Sequence, residues 1–211
     1  MKAADKTILT GVRTRIAPSP TGWLHIGTAR TALFNYLFAR RHGGSFVVRI
    51  EDTDLERSDK KFEADILEGF SWLGIHWDEG PYRQTERLDS YERYLNKLLE
   101  QGSVFYCAHT VPELETERKS QMEAKQALRH VCTHRDAGNT KGIIRFKNTA
   151  SGTIAFTDCI RGDISFNTEL LGDFSLAKNT RTPLYNFAVV IDDNEMAITY
   201  ILRGEDHIPN T

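Results

Sequence analysis

Cysteine is sparse: three residues in a chain of 211, an odd number that argues against a disulfide framework and leaves metal binding or simple burial. Net charge is nearly absent, since 27 Lys+Arg against 29 Asp+Glu leave −2, so no overall basic field marks the chain for a polyanion. Any nucleic-acid surface must be local. No apolar run reaches the roughly 18 residues of a membrane span, and the opening MKAADKTILT has neither the apolar core nor the cleavage site of a secretory signal. A cytoplasmic protein without membrane contact is expected. Neither a GxxxxGK(S/T) loop nor GxGxxG occurs, which excludes a P-loop and the dinucleotide fingerprint. Internal repeats and low-complexity tracts are missing as well. What remains, 40% hydrophobic and 27% charged residues, fits one large globular domain or a domain carrying an insertion.

The hydrophobic pattern begins as alternating strands and helices. VRTRIA (12 to 17) reads as a strand, and TARTALFNYLFARRH (28 to 42) as a helix apolar almost all round, hence expected to be buried, closed by Gly43 and Gly44. SFVVRI (45 to 50) reads as a second strand, and Phe62, Ile66, Phe70 and Leu73 space out one helix face. This order implies a βαβ unit with a parallel sheet, whose ligands belong at the carboxyl ends of the strands. Leu88, Tyr91, Leu95, Leu98 and Leu99 mark a third amphipathic helix. The character then changes. Thr110 and Glu113 form a capping-box pair for a polar helix to about 128, and short strands are expected at 143 to 146, 153 to 159 and 161 to 166, with Cys159 as buried filler. The middle reads as an α+β insertion. The apolar run 184 to 191 and a strand-like 196 to 202 resemble the first part again, and RGEDHIPNT looks like the start of a further helix.

PSPTGWLHIGTAR (18 to 30) joins the first strand to the first helix. A Pro/Gly-rich turn is ordinary punctuation, and a His in one is usually only solvated. Here, however, the turn delivers Gly27 to a helix N-terminus, where unpaired N–H groups and the helix dipole suit a phosphate. An imidazole at that place can donate to a phosphate oxygen as negative charge builds.

TRIAPSPTG followed by LHIGTAR resembles the signature of class I aminoacyl-tRNA synthetases. RIEDTDLERS (49 to 58), WLGIHWDEGPYRQTERL (72 to 88), YNFAVVIDD (185 to 193) and YILRGEDHIPNT (200 to 211) resemble the glutamyl branch in the expected order, and APSP favours it over the glutaminyl branch. The resemblance runs from Val12 to Thr211. It implies a Rossmann-like α/β fold of the HUP type, with 1–84 the first half of the catalytic domain, 85–183 an inserted domain that contacts the tRNA acceptor stem, and 184–211 the start of the second half.

The same resemblance implies residue roles. His25 and Gly27, with Thr28 in the fourth signature position, would meet the phosphates of ATP. Arg15, Ala17 and Ser19 would line the glutamate pocket, Glu51 would hold the α-amino group, and Tyr185 and Arg203 would complete it, Arg203 against the side-chain carboxylate. Asp206 and His207 would lie near the adenosine. The charges suit the substrate, because an ammonium needs an acid and carboxylates suit guanidinium forks. Surface ion pairs are the bland alternative for each of these arginines. The implied reaction is ATP-dependent activation of L-glutamate and transfer to tRNA(Glu), with Mg²⁺ accompanying ATP, in a monomer.

Cys107 and His109 form one C-x-H pair and Cys132 and His134 another, with 22 residues between. Two thiolates and two imidazoles make a closed tetrahedral Zn²⁺ set, while two unlinked pairs are the bland alternative. Many bacterial glutamyl enzymes resemble this with C-x-C followed by C-x-H, His109 here standing for the second Cys. The stretch ERKSQMEAKQALRHVCTHR holds cations for phosphates, although such runs are mostly solvated helix faces. The lysine-bearing loop of the family falls after RGEDH, so a fragment that aminoacylates poorly is expected. Two alternatives stay open: a tRNA(Asp)-modifying enzyme that glutamylates a queuosine base, and a non-catalytic tRNA-binding paralogue.

Overall fold

A computed structural model describes residues 11–149 and 151–211. MKAADKTILT lies outside them. The elements in order are β1 (Arg13–Ile16), α1 (Ile26–Arg41), β2 (Ser45–Ile50), α2 (Lys60–Trp72), β3 (Glu79–Arg83), α3 (Leu88–Glu100), β4 (Val104–Cys107), α4 (Val111–Glu123), β5 (Ile143–Phe146), β6 (Thr153–Asp158), β7 (Gly162–Asn167), β8 (Ser175–Asn179), β9 (Thr182–Pro183) and α5 (Tyr185–Glu195). They form two compact units, one running to Leu88 and resuming at Ala188–Thr211, the other Asp89–Phe187. No helix among the described residues is long and apolar enough to cross a membrane.

In the first unit β1, β2 and β3 make a parallel sheet in that order. β2 lies in the middle and its residues Phe46 to Ile50 are all buried, as befits a parallel strand covered on both faces. Alternation sorts its side chains. Phe46, Val48 and Ile50 join Ile16, Ala32, Ala39, Ile66, Phe70 and Ile75 in the core, and Arg49 belongs to the other face with Arg15. β3 escapes the sequence pattern because EGPYR carries Gly and Pro, which an edge strand tolerates. Gly80 is needed there: its φ is +98°, and a Cβ would stand 2.2 Å from the Val48 carbonyl oxygen.

Two expectations fail in this unit. α1 buries only Ala29, Ala32, Asn35 and Ala39, while Ile26, Phe34 and Leu37 lie exposed. Small residues bring its axis close to the sheet and turn the larger ones outward. The segment 196 to 202 is not a strand. Its Thr199 and Tyr200 amides both donate to the Arg13 carbonyl, at 2.9 and 3.1 Å, but the Arg13 amide donates to the Thr199 hydroxyl at 2.7 Å. A side chain thus takes the acceptor place of a ladder carbonyl, after a turn at Ala197 with φ +54°. The final residues form one short 3₁₀ stretch, Glu205–Asn210.

The second unit holds an antiparallel sheet in the order β4-β5-β8-β9 and a separate hairpin, β6–β7. Phe105, Cys107 and Cys132 cluster at one end of β4. Cys159 is exposed in the turn after β6, so it is not strand filler. α4 stops at Glu123 and buries no residue; a polar helix with no apolar face has nothing to bury.

Candidate functional site

At the carboxyl end of β1 the chain turns through Pro18–Leu24 into α1. The turn is pinned at several points: the Glu51 amide donates to the Pro18 carbonyl at 2.9 Å, the Asp59 amide to Pro20 at 3.0 Å, and the Leu24 amide to the Asp65 carboxylate at 2.7 Å. Leu24 also packs on Gly69 of α2, where a Cβ would come within 2.2 Å of it. His25 is the N-cap of α1: its Nδ1 accepts from the Thr28 amide at 3.4 Å, and its Nε2 lies 3.1 Å from the Thr28 hydroxyl. In the neutral ring an accepting Nδ1 assigns the proton to Nε2, where the Thr28 hydroxyl is within reach as its partner. Gly27 allows this closeness, as a Cβ there would meet the ring at 3.0 Å. Ser19, Gly22, Trp23, His25 and Thr28 line a cavity of about 270 Å³. Of the expected ATP and glutamate contacts, then, His25, Thr28 and Ser19 share one hollow, with Gly27 beside the ring and Ala17 half-buried in the strand exit.

Arg15 and Glu51 lie instead in a buried ionic network on the other face of the sheet. Arg15 grips Asp193 of α5 with Nε and Nη2, both at 3.1 Å. Arg49 reaches Asp193 through Nη1 at 2.6 Å and Glu51 through Nη2 at 3.1 Å, and its Nε stands 3.6 Å from Asp192. Asp192 is further held by Gln84 at 2.8 Å and by Arg87 at 2.7 Å. Burial pushes the Glu51 carboxyl above its ordinary range, and the Arg49 guanidinium only partly offsets this. Burial acts on Asp193 in the same direction, but two guanidiniums outweigh it and hold that carboxyl low. Glu51 accepts from Arg49 on Oε1 only, and Arg15 keeps its Nη1 edge outside the Asp193 fork.

Arg203 hydrogen-bonds through Nη2 to the Thr211 hydroxyl, and the preceding Leu202 carbonyl accepts from the buried Asn35 of α1 at 2.8 Å. Asp206 and His207 are neighbours in the 3₁₀ stretch, 3.6 Å apart. Tyr185 opens α5 and belongs to the second unit.

In the second unit Cys107, His109, His130 and Cys132 bring their donor atoms within 4.8 Å of one another. Cys107 Sγ lies 3.3 Å from His109 Nδ1 and 3.8 Å from His130 Nε2, and Cys132 Sγ lies 3.5 Å from His109 Nδ1. A tetrahedron with metal–ligand distances of about 2.0–2.3 Å has edges of about 3.3–3.8 Å, so these three separations suit Zn²⁺. The histidine gathered is not the expected one. The His134 ring lies tilted against His109 with centroids 4.2 Å apart, its Nδ1 accepts from the Ala108 amide at 3.3 Å, and only its own amide, at 3.4 Å, meets the Cys132 sulfur. Burial, with the adjacent Cys107, pushes the Cys132 thiol up to about 11, and burial beside two imidazoles lowers His109. A neutral imidazole at His109 suits a metal, and the thiols would lose their protons to solvent as they bind it.

Asp192, Asp193, His130 and Glu117 are among the participants that escaped the sequence reading. Asp192 and Asp193 end an apolar run, and a pair of acids there with no cation nearby in sequence was the available signal. His130 and Glu117 had none, since only the fold brings them together.

The chain matches the family model described as tRNA synthetases class I (E and Q), catalytic domain, over residues 11–211. It is 52% identical to the glutamate–tRNA ligase of Carboxydothermus hydrogenoformans over 95% of this chain and 45% of the relative, and 49% identical to that of Nostoc punctiforme over the same shares. Among solved structures it resembles a glutamate tRNA ligase from Elizabethkingia meningosepticum in complex with its amino acid, with a TM-score of 0.83 and 38% identity over 94% of this chain and 44% of that one. The glutamate-tRNA synthetase of Elizabethkingia anophelis gives a TM-score of 0.84, also at 38% identity, over 95% and 46%. The chain spans less than half the length of these relatives.

Proposed function

The chain belongs to the catalytic-domain family of class I tRNA synthetases for glutamate and glutamine, and from that premise we propose that it serves the ATP-dependent charging of tRNA(Glu) with L-glutamate. An oxygen of the glutamate α-carboxylate attacks the α-phosphorus of ATP, the bond to the bridging oxygen breaks and pyrophosphate leaves. A ribose hydroxyl at the tRNA 3′ end then attacks the acyl carbon and AMP departs. Little proton transfer is asked of the protein in the first step, so positioning and charge stabilisation carry the rate.

One observation carries this reading: the His25 ring caps α1 through Nδ1 at the wall of a hollow formed by the turn, and the tautomer that this cap favours has its proton on Nε2. That donor, near the N–H groups that open α1, would meet phosphate oxygens as their charge grows, with Gly27 giving the ring room and Thr28 setting its tautomer. Glu51 Oε2 would accept from the substrate ammonium, and Arg15 Nη1 and Arg203 would take the side-chain carboxylate, with Ala17 and Ser19 as walls. Asp206 and His207 would face the adenosine. Mg²⁺ would travel with the ATP phosphates.

We read 1–84 and 184–211 as parts of one nucleotide-binding domain and 85–183 as an insert that meets the acceptor end of tRNA(Glu), with a structural Zn²⁺ on Cys107, His109 and Cys132. A cytoplasmic monomer completes the reading. Titration calorimetry with a non-hydrolysable glutamyl-adenylate analogue tests it. Saturable binding, lost in Glu51→Gln and weaker for the aspartyl and glutaminyl analogues, is expected. Equal binding of all three, or none, would refute the assignment.

A further inference from the structure

The zinc reading above names three ligands; the geometry of the second unit points to the fourth. We propose that His130, and not His134, closes the site with Cys107, His109 and Cys132, and that Glu117 holds His130 and thereby fastens helix α4 to the metal. The ligand pattern is then Cys-x-His followed by its mirror, His-x-Cys, rather than two copies of Cys-x-His.

Three observations carry this. First, His130 aims Nε2 at Cys107 Sγ, 3.8 Å away, a tetrahedral edge length, whereas the His134 Nδ1 is engaged by the Ala108 amide at 3.3 Å. Second, the other nitrogen of His130 lies 2.5 Å from Glu117 Oε2. Donation from Nδ1–H to that carboxylate leaves the Nε2 lone pair for a metal, the arrangement by which a carboxylate fixes tautomer and raises ligand basicity. Third, the backbone of His130 is clamped. Its carbonyl accepts from the Asp173 amide at 2.6 Å, and Gly172, with φ +50°, packs so close that a Cβ would stand 2.7 Å from that same oxygen.

The link to α4 follows from what the helix lacks. Its 13 residues are polar all round and none is buried, and an isolated helix of that length is marginal in water. Its attachments run to the strip beside the metal: Glu117 to His130, and a reciprocal pair in which Gln121 Nε2 donates to the Arg129 carbonyl at 2.6 Å while the Arg129 amide donates to Gln121 Oε1 at 3.1 Å. A metal that holds residue 130 thus holds the docking strip of α4.

The test uses the 211-residue chain purified with zinc. Zinc is counted per chain, chelator competition gives its affinity, and Co²⁺ substitution gives the spectrum of the site. One zinc per chain is expected, retained in His134→Ala and weakened at least 100-fold in His130→Ala. Glu117→Gln should weaken zinc by about 10- to 100-fold and leave the Co²⁺ spectrum unchanged. Should His130→Ala fail to fold, His130→Cys decides: an added thiolate must strengthen the sulfur-to-cobalt charge-transfer band, and His134→Cys must not. Amide exchange across 111–123 should quicken several-fold in the metal-free chain and in Glu117→Gln. A spectrum that responds at 134 and not at 130 would overturn the ligand assignment while sparing the zinc reading. No zinc in the wild-type chain would overturn both, and unchanged exchange across 111–123 would overturn the tether.

Discussion

Removing the same formal charge at two points of one buried network should move stability in opposite directions. Asp193 accepts three hydrogen bonds from two guanidiniums, at 3.1, 3.1 and 2.6 Å, and those arginine side chains are only 7% and 0% exposed. In Asp193→Asn both cations stay buried with one anion fewer, a loss of about 3–5 kcal/mol, or roughly 10 °C in melting temperature. Glu51 differs because burial dominates its carboxyl: the ionised form is worse placed in the fold than in water. Glu51→Gln keeps an oxygen for Arg49 and sheds that penalty, so stability should hold or rise. The pH dependence carries opposite signs as well. Asp193 has a lowered folded pKa, so its contribution is present above the ordinary aspartate value of about 4 and is lost as pH falls through the folded value. The gap between wild type and Asp193→Asn should therefore close in acid. Glu51 has a raised folded pKa, so its penalty is full above that pKa and disappears as pH falls toward the ordinary value; the gain in Glu51→Gln should shrink there. Urea unfolding at pH 7, 5 and 4 measures both. Equal losses in the two variants, or a loss under about 1 kcal/mol in Asp193→Asn, would refute the reasoning.

Gly27→Ala should separate binding from stability. Alanine suits a first helical turn, but its Cβ would meet the His25 ring at 3.0 Å, so melting should hold or rise slightly while calorimetry shows nucleotide affinity at least tenfold weaker. Asp173→Ala should destabilise the second unit by about 3 kcal/mol, because the buried carboxylate accepts from the Cys132 amide at 2.8 Å, the Asn148 amide at 3.0 Å and both arms of Arg135 at 2.8 Å. Chemical denaturation checks it, and amide exchange should quicken around Cys132 and Asn148.

Local rules sufficed for much of the chain. The spacing of Phe62, Ile66 and Phe70, the apolar run 45 to 50 and the Thr110–Glu113 pair each specify an element from neighbouring residues alone, and they match α2, β2 and the start of α4. The PSPTG turn before a helix likewise advertises its chemistry through Gly, Pro and a capping His. What the sequence could not decide was set by contacts across the chain. β3 exists because the edge of a sheet accepts a Gly-Pro pair, and 196 to 202 is not a strand because a hydroxyl displaces a ladder carbonyl. Arg15 meets Asp193 across 178 positions, and Glu117 meets His130 across a helix and a loop. Sequence periodicity records which side a residue faces; which charged or ligating partner waits on that side depends on how distant segments pack, and only the folded chain supplies it.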